Sequence, residues 1–140
     1  MKPSFDNSTE STVLGAEKGS TVLPCRVRNV GDLTVSWVRK SDYHILTAGS
    51  QMYTNDVRYS IIHPKNSSDW MLKIGALRLD DEGVYECQTY SSYLFKINVS
   101  LIYQSIKGAR LNSRDGFVKH PAFSSIMYTV QYRLTSRQQS

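Results

Sequence analysis

Apolar and polar residues alternate along most of this chain. Trp70, Leu72 and Ile74 alternate with Met71 and Lys73, the period of a half-buried strand. The same period runs through Leu23, Cys25 and Val27, through Tyr59 and Ile61, and through Tyr85, Cys87 and Thr89 in GVYECQTY. It returns in YLFKINVSLI, where Phe95, Ile97, Val99 and Leu101 form one apolar face. LTVSWVR (33–39), YHILTAG (43–49) and QMYTN (51–55) read as further strands, and TVLGAEKGSTVLPCRVR as two more. Pro24 offers no N–H, so its strand requires a bulge or an unpaired edge there. NVGD (29–32), HPKNSSD (63–69) and Ser91-Ser92 read as turns, and Leu77 is expected to pack under the corner before Gly83. Many short strands between turn signals predict an all-β, two-sheet sandwich.

The run DDEGVYEC narrows that prediction. It places Asp81, Gly83, Tyr85 and Cys87 at alternate positions. A tyrosine two residues before a cysteine is the tyrosine-corner pattern of immunoglobulin sandwiches, where the phenol bonds back to upstream backbone. The motif asks for an earlier cysteine, a tryptophan about a dozen residues after it, and a basic partner for the aspartate. Cys25, Trp37 and Arg58 stand at those places. The reading is therefore an immunoglobulin V-like (or I-like) sandwich over residues 12–103. A flexible segment, 1–11, precedes it and a basic, poorly ordered tail, 104–140, follows. Within that tail, 126–134 alternate like a strand but have no evident partner strand. A Cys25–Cys87 disulfide would place the domain in an oxidising compartment. Closing so long a loop should contribute roughly 4 kcal/mol.

Charge and chemistry then exclude several function classes. The net charge is +5, yet residues 1–103 carry equal numbers of Lys/Arg and Asp/Glu. The excess lies in the tail, so nucleic-acid binding gains little support. No apolar run is long enough for a membrane helix, so no membrane insertion is expected from this segment. No signal peptide or anchor is legible, although sequons at Asn7, Asn66 and Asn98 speak for glycosylation and secretion. The chain reads as a piece of a longer product, or one whose start was lost. His44, His63 and His120 fall in no metal-ligand or nucleophile motif, and both cysteines are committed. No catalytic residue, metal or cofactor is expected. Asp80 and Glu82 read as solvated corner residues beside the paired Asp81.

What remains is surface. By strand parity, Ser36, Val38, Ile45, Gln88, Tyr90 and Leu94 lie on the outward side of one sheet, with Met52 and Tyr53 nearby. Only Lys40, Glu86 and Lys96 bring charge there. An apolar, tyrosine-bearing, charge-poor face marks a protein interface.

SWVRKSDYHILTAG, MYTNDVRYSIIHP and DWMLKIGALRLDDEGVYECQ closely resemble the first immunoglobulin domain of the Dpr (defective proboscis extension response) proteins, and FDNST is similar as well. The resemblance spans roughly residues 3–102. It implies a neuronal cell-surface receptor that binds DIP-like immunoglobulin proteins through the GFCC′C″ face, helping to specify synaptic partners. By position, HILT places Ile45 and Leu46 at or beside that contact, and YECQ places Gln88 there. Weak pairing with a second copy is a further expectation. The alternatives are a secreted decoy and a general immunoglobulin adhesion or defence module with another partner. TYSSYLFKINV is several residues shorter than the family leads one to expect.

Overall fold

The structure is a computed structural model and describes residues 3–5 and 11–106. Asn7, residues 107–140 and the alternating run 126–134 lie outside the described residues.

Among the described residues eleven strands form in chain order: β1 (Ser4–Phe5), β2 (Ser11–Ala16), β3 (Thr21–Leu23), β4 (Val27–Arg28), β5 (Val35–Arg39), β6 (His44–Ala48), β7 (Gln51–Met52), β8 (Tyr59–Ile62), β9 (Met71–Ile74), β10 (Gly83–Tyr90) and β11 (Leu94–Gln104). One sheet has the order β2-β11-β10-β5-β6-β7, and a second has β3-β9-β8. β2 runs parallel to β11, whereas the other pairs are antiparallel.

The core between the sheets gathers the alternating residues of both. Leu23, Leu72 and Ile74 come from the smaller sheet, and Trp37, Tyr85 and Val99 from the larger. Cys25 and Cys87 are joined across the gap, with Cα atoms 6.4 Å apart. Trp37 lies opposite Cys87 in the β5–β10 register and belongs to the same core cluster. Its Nε1–H donates to the Trp70 carbonyl at 2.8 Å, which ties the larger sheet to the residue leading into β9.

Pro24 has the effect its missing N–H requires. β3 stops at Leu23, and pairing resumes only at the Arg26–Asp69 bridge and β4. Across the break the Cys25 carbonyl still accepts from Trp70 N–H at 2.7 Å. The free edge of β4 is covered by β1, through Ser4–Arg28 and Phe5–Val27 pairs. Within the segment expected to be flexible, residues 4 and 5 are therefore held in place. Phe5 packs against the core and Pro3 is buried. A single aromatic in a polar stretch has no periodicity to announce it.

The corner between β9 and β10 is a hydrogen-bonded unit. Arg58 grips Asp81 with both guanidinium nitrogens, at 2.6 and 2.9 Å. A second Asp81 role is local: Oδ2 accepts from Arg78 N–H at 2.8 Å. The Tyr85 hydroxyl donates to the Asp81 carbonyl at 2.8 Å, completing a tyrosine corner. Burial pushes the Tyr85 phenol well above its ordinary value, with help from the Tyr59 hydroxyl. Hydrogen bonds to Asp81, and then to Asp56, raise the Arg58 guanidinium further. Gly83 follows with φ at +150°, a backbone region closed to most side chains, although a Cβ there would meet nothing. Glu82 departs from the solvated role expected of it. Its Oε2 accepts the Tyr103 N–H at 2.8 Å, because β11 passes directly over the corner. Asp80 is exposed.

Asp81→Ala should leave the Arg58 charge without its main partner in a mostly buried site, at a cost of about 3–5 kcal/mol. Tyr85→Phe removes one hydroxyl bond and should cost about 1 kcal/mol. Equilibrium urea unfolding of both variants checks the ranking. A loss at Asp81 no larger than that at Tyr85 would contradict this account of the corner.

Candidate protein-binding face

Residues opposite one another in an antiparallel ladder point to the same side of the sheet. With Cys87, Trp37 and Ile97 directed into the core, the neighbouring rows must face out. One outward row is Ser36–Gln88–Lys96, and the next is Val38–Glu86–Asn98. Tyr90 and Leu94 pair beyond them at the F–G turn. Strands β11, β10, β5, β6 and β7 correspond to G, F, C, C′ and C″ in immunoglobulin strand lettering, with the F–G turn between β10 and β11.

The β5–β6 pairing contains a bulge. Val38 lies opposite Ile45, yet Trp37 lies opposite Thr47, so Leu46 is the extra residue. Simple alternation would send one of Leu46 and Thr47 outward; the bulge buries both completely. Thr47 also has a backbone role there, its Oγ1 accepting from Trp37 N–H at 3.1 Å. Ile45 is left outside, 45 % exposed.

The nine residues expected on the face therefore divide. Ile45, Tyr90 and Leu94 are exposed, and Ser36 and Gln88 are half-buried between them. Tyr53 is exposed just after the edge strand, its N–H bonded to the Leu46 carbonyl. Leu46 is a core residue with no exposed surface, so it cannot touch a partner directly. Val38 points outward by register but is only 5 % exposed, held between Glu86 and Ile45. Met52 is exposed, but it lies opposite Thr47 and hence on the Trp37 side of the edge rather than beside Ile45.

Two features escaped sequence reasoning. Glu86 is buried although it belongs to an outward row. Lys96 Nζ donates to its Oε1 at 3.2 Å, and Lys40 Nζ lies 3.9 Å from the same oxygen. Three charges at alternating positions on neighbouring strands were the available signal. Tyr93 is the second, an exposed ring in the F–G turn set edge-on to Phe95 at 6.2 Å. A groove of about 340 Å³ opens beside Ser36, Gln88 and Tyr90, with Asp32 and Thr34 on its other wall.

Sequon Asn66 is exposed in a left-handed turn position, away from these rows. Asn98 is half-buried opposite Glu86, closer to the middle of the face than a marginal glycan would be. Among the described residues, no group of His, Cys, Asp and Glu could hold a metal ion. His63 instead stacks on Trp70 at 3.5 Å, and its Nδ1 lies 2.6 Å from the Asp69 carbonyl. No helix among the described residues is long and apolar enough to cross a membrane.

The immunoglobulin V-set domain family matches residues 8–102. Among solved structures, the chain is similar to one of Dpr1 IG1 bound to DIP-eta IG1, with 37 % identity and a TM-score of 0.69, over 72 % of this chain and 95 % of that one. It is similar as well to one of Dpr11 IG1 bound to DIP-gamma, with 30 % identity and a TM-score of 0.69, over 75 % of this chain and 52 % of that one. Zwei Ig domain protein zig-8 of Caenorhabditis elegans is 28 % identical over 83 residues, 59 % of this chain and 31 % of the relative. The chain thus spans less than a third of that curated relative's length.

Thr47→Val should leave the buried Trp37 N–H without an acceptor, at about 1–3 kcal/mol. Urea unfolding measures the loss. An unchanged midpoint would mean that the bulge does not depend on this bond.

Proposed function

The chain belongs to the immunoglobulin V-set family as a Dpr-like first immunoglobulin domain, and from that premise we propose that it is an extracellular recognition module binding a DIP-like immunoglobulin domain through the outward rows of β11, β10, β5 and β6. The observation that carries the reading is the exposed set Ile45, Tyr90 and Leu94 around half-buried Ser36 and Gln88. Apolar and tyrosine side chains on a rigid sheet supply contact area at low conformational cost. The Dpr1 and Dpr11 structures, in which such a domain is held by a DIP domain, support the choice of partner. The Cys25–Cys87 bond fits an extracellular setting. Recognition between neuronal surfaces is the role that this partner class suggests for the whole protein.

The mode of binding follows from the geometry. A flat sheet face docks as a unit, so few backbone movements are needed and little ordering entropy is lost. Ile45 lies over the bulge next to buried Val38, where truncation or a charge would disturb the middle of the contact. Tyr90 and Leu94 would anchor the far end near the F–G turn.

Ile45→Asp should weaken binding to the DIP-eta first domain by at least about 30-fold, the equivalent of a hot-spot loss of about 2 kcal/mol. Its melting temperature should stay near that of the unmodified chain, because Ile45 is not part of the core. Asn98→Gln should improve binding by removing a glycan from the outward row beside Glu86. Surface plasmon resonance on glycosylated protein decides both. Full affinity in Ile45→Asp would refute the face, and lost affinity in Asn98→Gln would mean that the Asn98 side chain or its sugar contributes to the contact rather than obstructing it.

A further inference from the structure

Glu86 sits in the middle of the outward rows on β10, the strand flanked by β11 and β5. Its side chain is only 4 % exposed, whereas those of Lys96 and Lys40 are 45 % and 40 % exposed. Both ammonium groups converge on one carboxylate oxygen, Lys96 at 3.2 Å and Lys40 at 3.9 Å. One carboxylate offsets one cation, and the two lysines cover it from outside. The cluster therefore carries one uncompensated positive charge at the centre of the face. The neighbouring outward residues Ser36, Gln88 and Ile45 are neutral, and the Asp32 carboxylate, in the groove beside Ser36 and Tyr90, precedes β5 at the end opposite Lys40.

This arrangement has unequal consequences for different partners. In a two-fold pairing of identical faces, each copy meets the same surface on the other. Two such clusters would bring their surplus cations together while both carboxylates stay sealed beneath their own lysines. The charges would lose water without gaining a counter-charge, which penalises that pairing. A partner with an Asp or Glu at the matching position would meet the surplus cation and remove the penalty.

We infer that the Lys40–Glu86–Lys96 cluster selects an immunoglobulin face bearing its own carboxylate and disfavours association of two copies of this chain. The inference rests on the reading of these rows as the binding face. Specificity comes here from a misfit built into the wrong pair as well as a fit in the right one. The apolar residues supply contact area to any sheet face, and the cluster discriminates among them.

The test uses the full chain. Lys40→Glu turns the cluster's surplus from positive to negative, while Lys96, the closer lysine, still holds Glu86. Surface plasmon resonance then compares the unmodified chain binding itself with the unmodified chain binding Lys40→Glu. The mixed pair should associate roughly tenfold more tightly at low salt, and the advantage should shrink at high salt as the charges are screened. Lys40→Gln, which neutralises the surplus, should self-associate more tightly than the unmodified chain and serves if Lys40→Glu fails to fold. A mixed pair no tighter than the unmodified pair, or Lys40→Gln self-association no stronger, overturns the inference. Against the DIP-eta first domain, Lys40→Glu should lose roughly tenfold in affinity. Affinity that survives Lys40→Glu but is abolished by Ile45→Asp overturns this inference and leaves the face standing. Affinity that survives both overturns the two together.

Discussion

The bond between Cys25 and Cys87 constrains far more than the loop it closes. It holds Cys87 inward, and a strand has a period of two, so every other residue of β10 is assigned a side at once. β10 is paired on both edges, with β11 and with β5. Its parity is therefore copied outward through each register, placing Trp37 and Ile97 inside and Glu86, Gln88 and Tyr90 outside. A one-residue slip would exchange the core for the face. The Trp37 bond to the Trp70 carbonyl and the Arg58–Asp81–Tyr85 corner hold the second sheet against this reference strand.

Against such a rigid frame, the departures from regularity stand out. The β5–β6 bulge buries Leu46 and Thr47 together and returns Ile45 to the outside. Without the extra residue, alternation would force a choice between a covered core and an apolar outer row. The bulge permits both, and Thr47 accepts the Trp37 N–H beside the offset pairing. An apolar outer row would also suit many wrong partners. The buried carboxylate with its two lysines sits within this row.

The strongest polar networks, around Arg58 and around Arg39 with Asp42, lie at the corner and the β5–β6 turn rather than among the outward rows. The Arg39 guanidinium lowers the Asp42 carboxyl to about 2, so that pair stays ionised through the neutral range. These groups shape and fasten loops. The face itself is left mostly neutral and is suited to protein contact by shape and apolar area.

The cysteine pairing, the tryptophan, the tyrosine corner and the inward set from Leu23 to Leu101 were legible in the sequence, because each depends on spacing within a strand or a short motif. Most of the outward rows followed from the same parity. Pro24 announced its break because the missing N–H is a property of the residue alone. Tertiary structure decided the rest. Parity already put Leu46 on the core side, but Thr47 joined it there because of an offset between β5 and β6, and Val38 is covered because Glu86 and Ile45 flank it from neighbouring strands. Glu82 found the Tyr103 N–H, and Phe5 the open edge of β4, across many intervening residues. Glu86 is buried through lysines contributed by β11 and by the end of β5. Alternation reports which side of a strand a residue takes. Whether that side is covered depends on register with distant strands, which the local pattern does not carry.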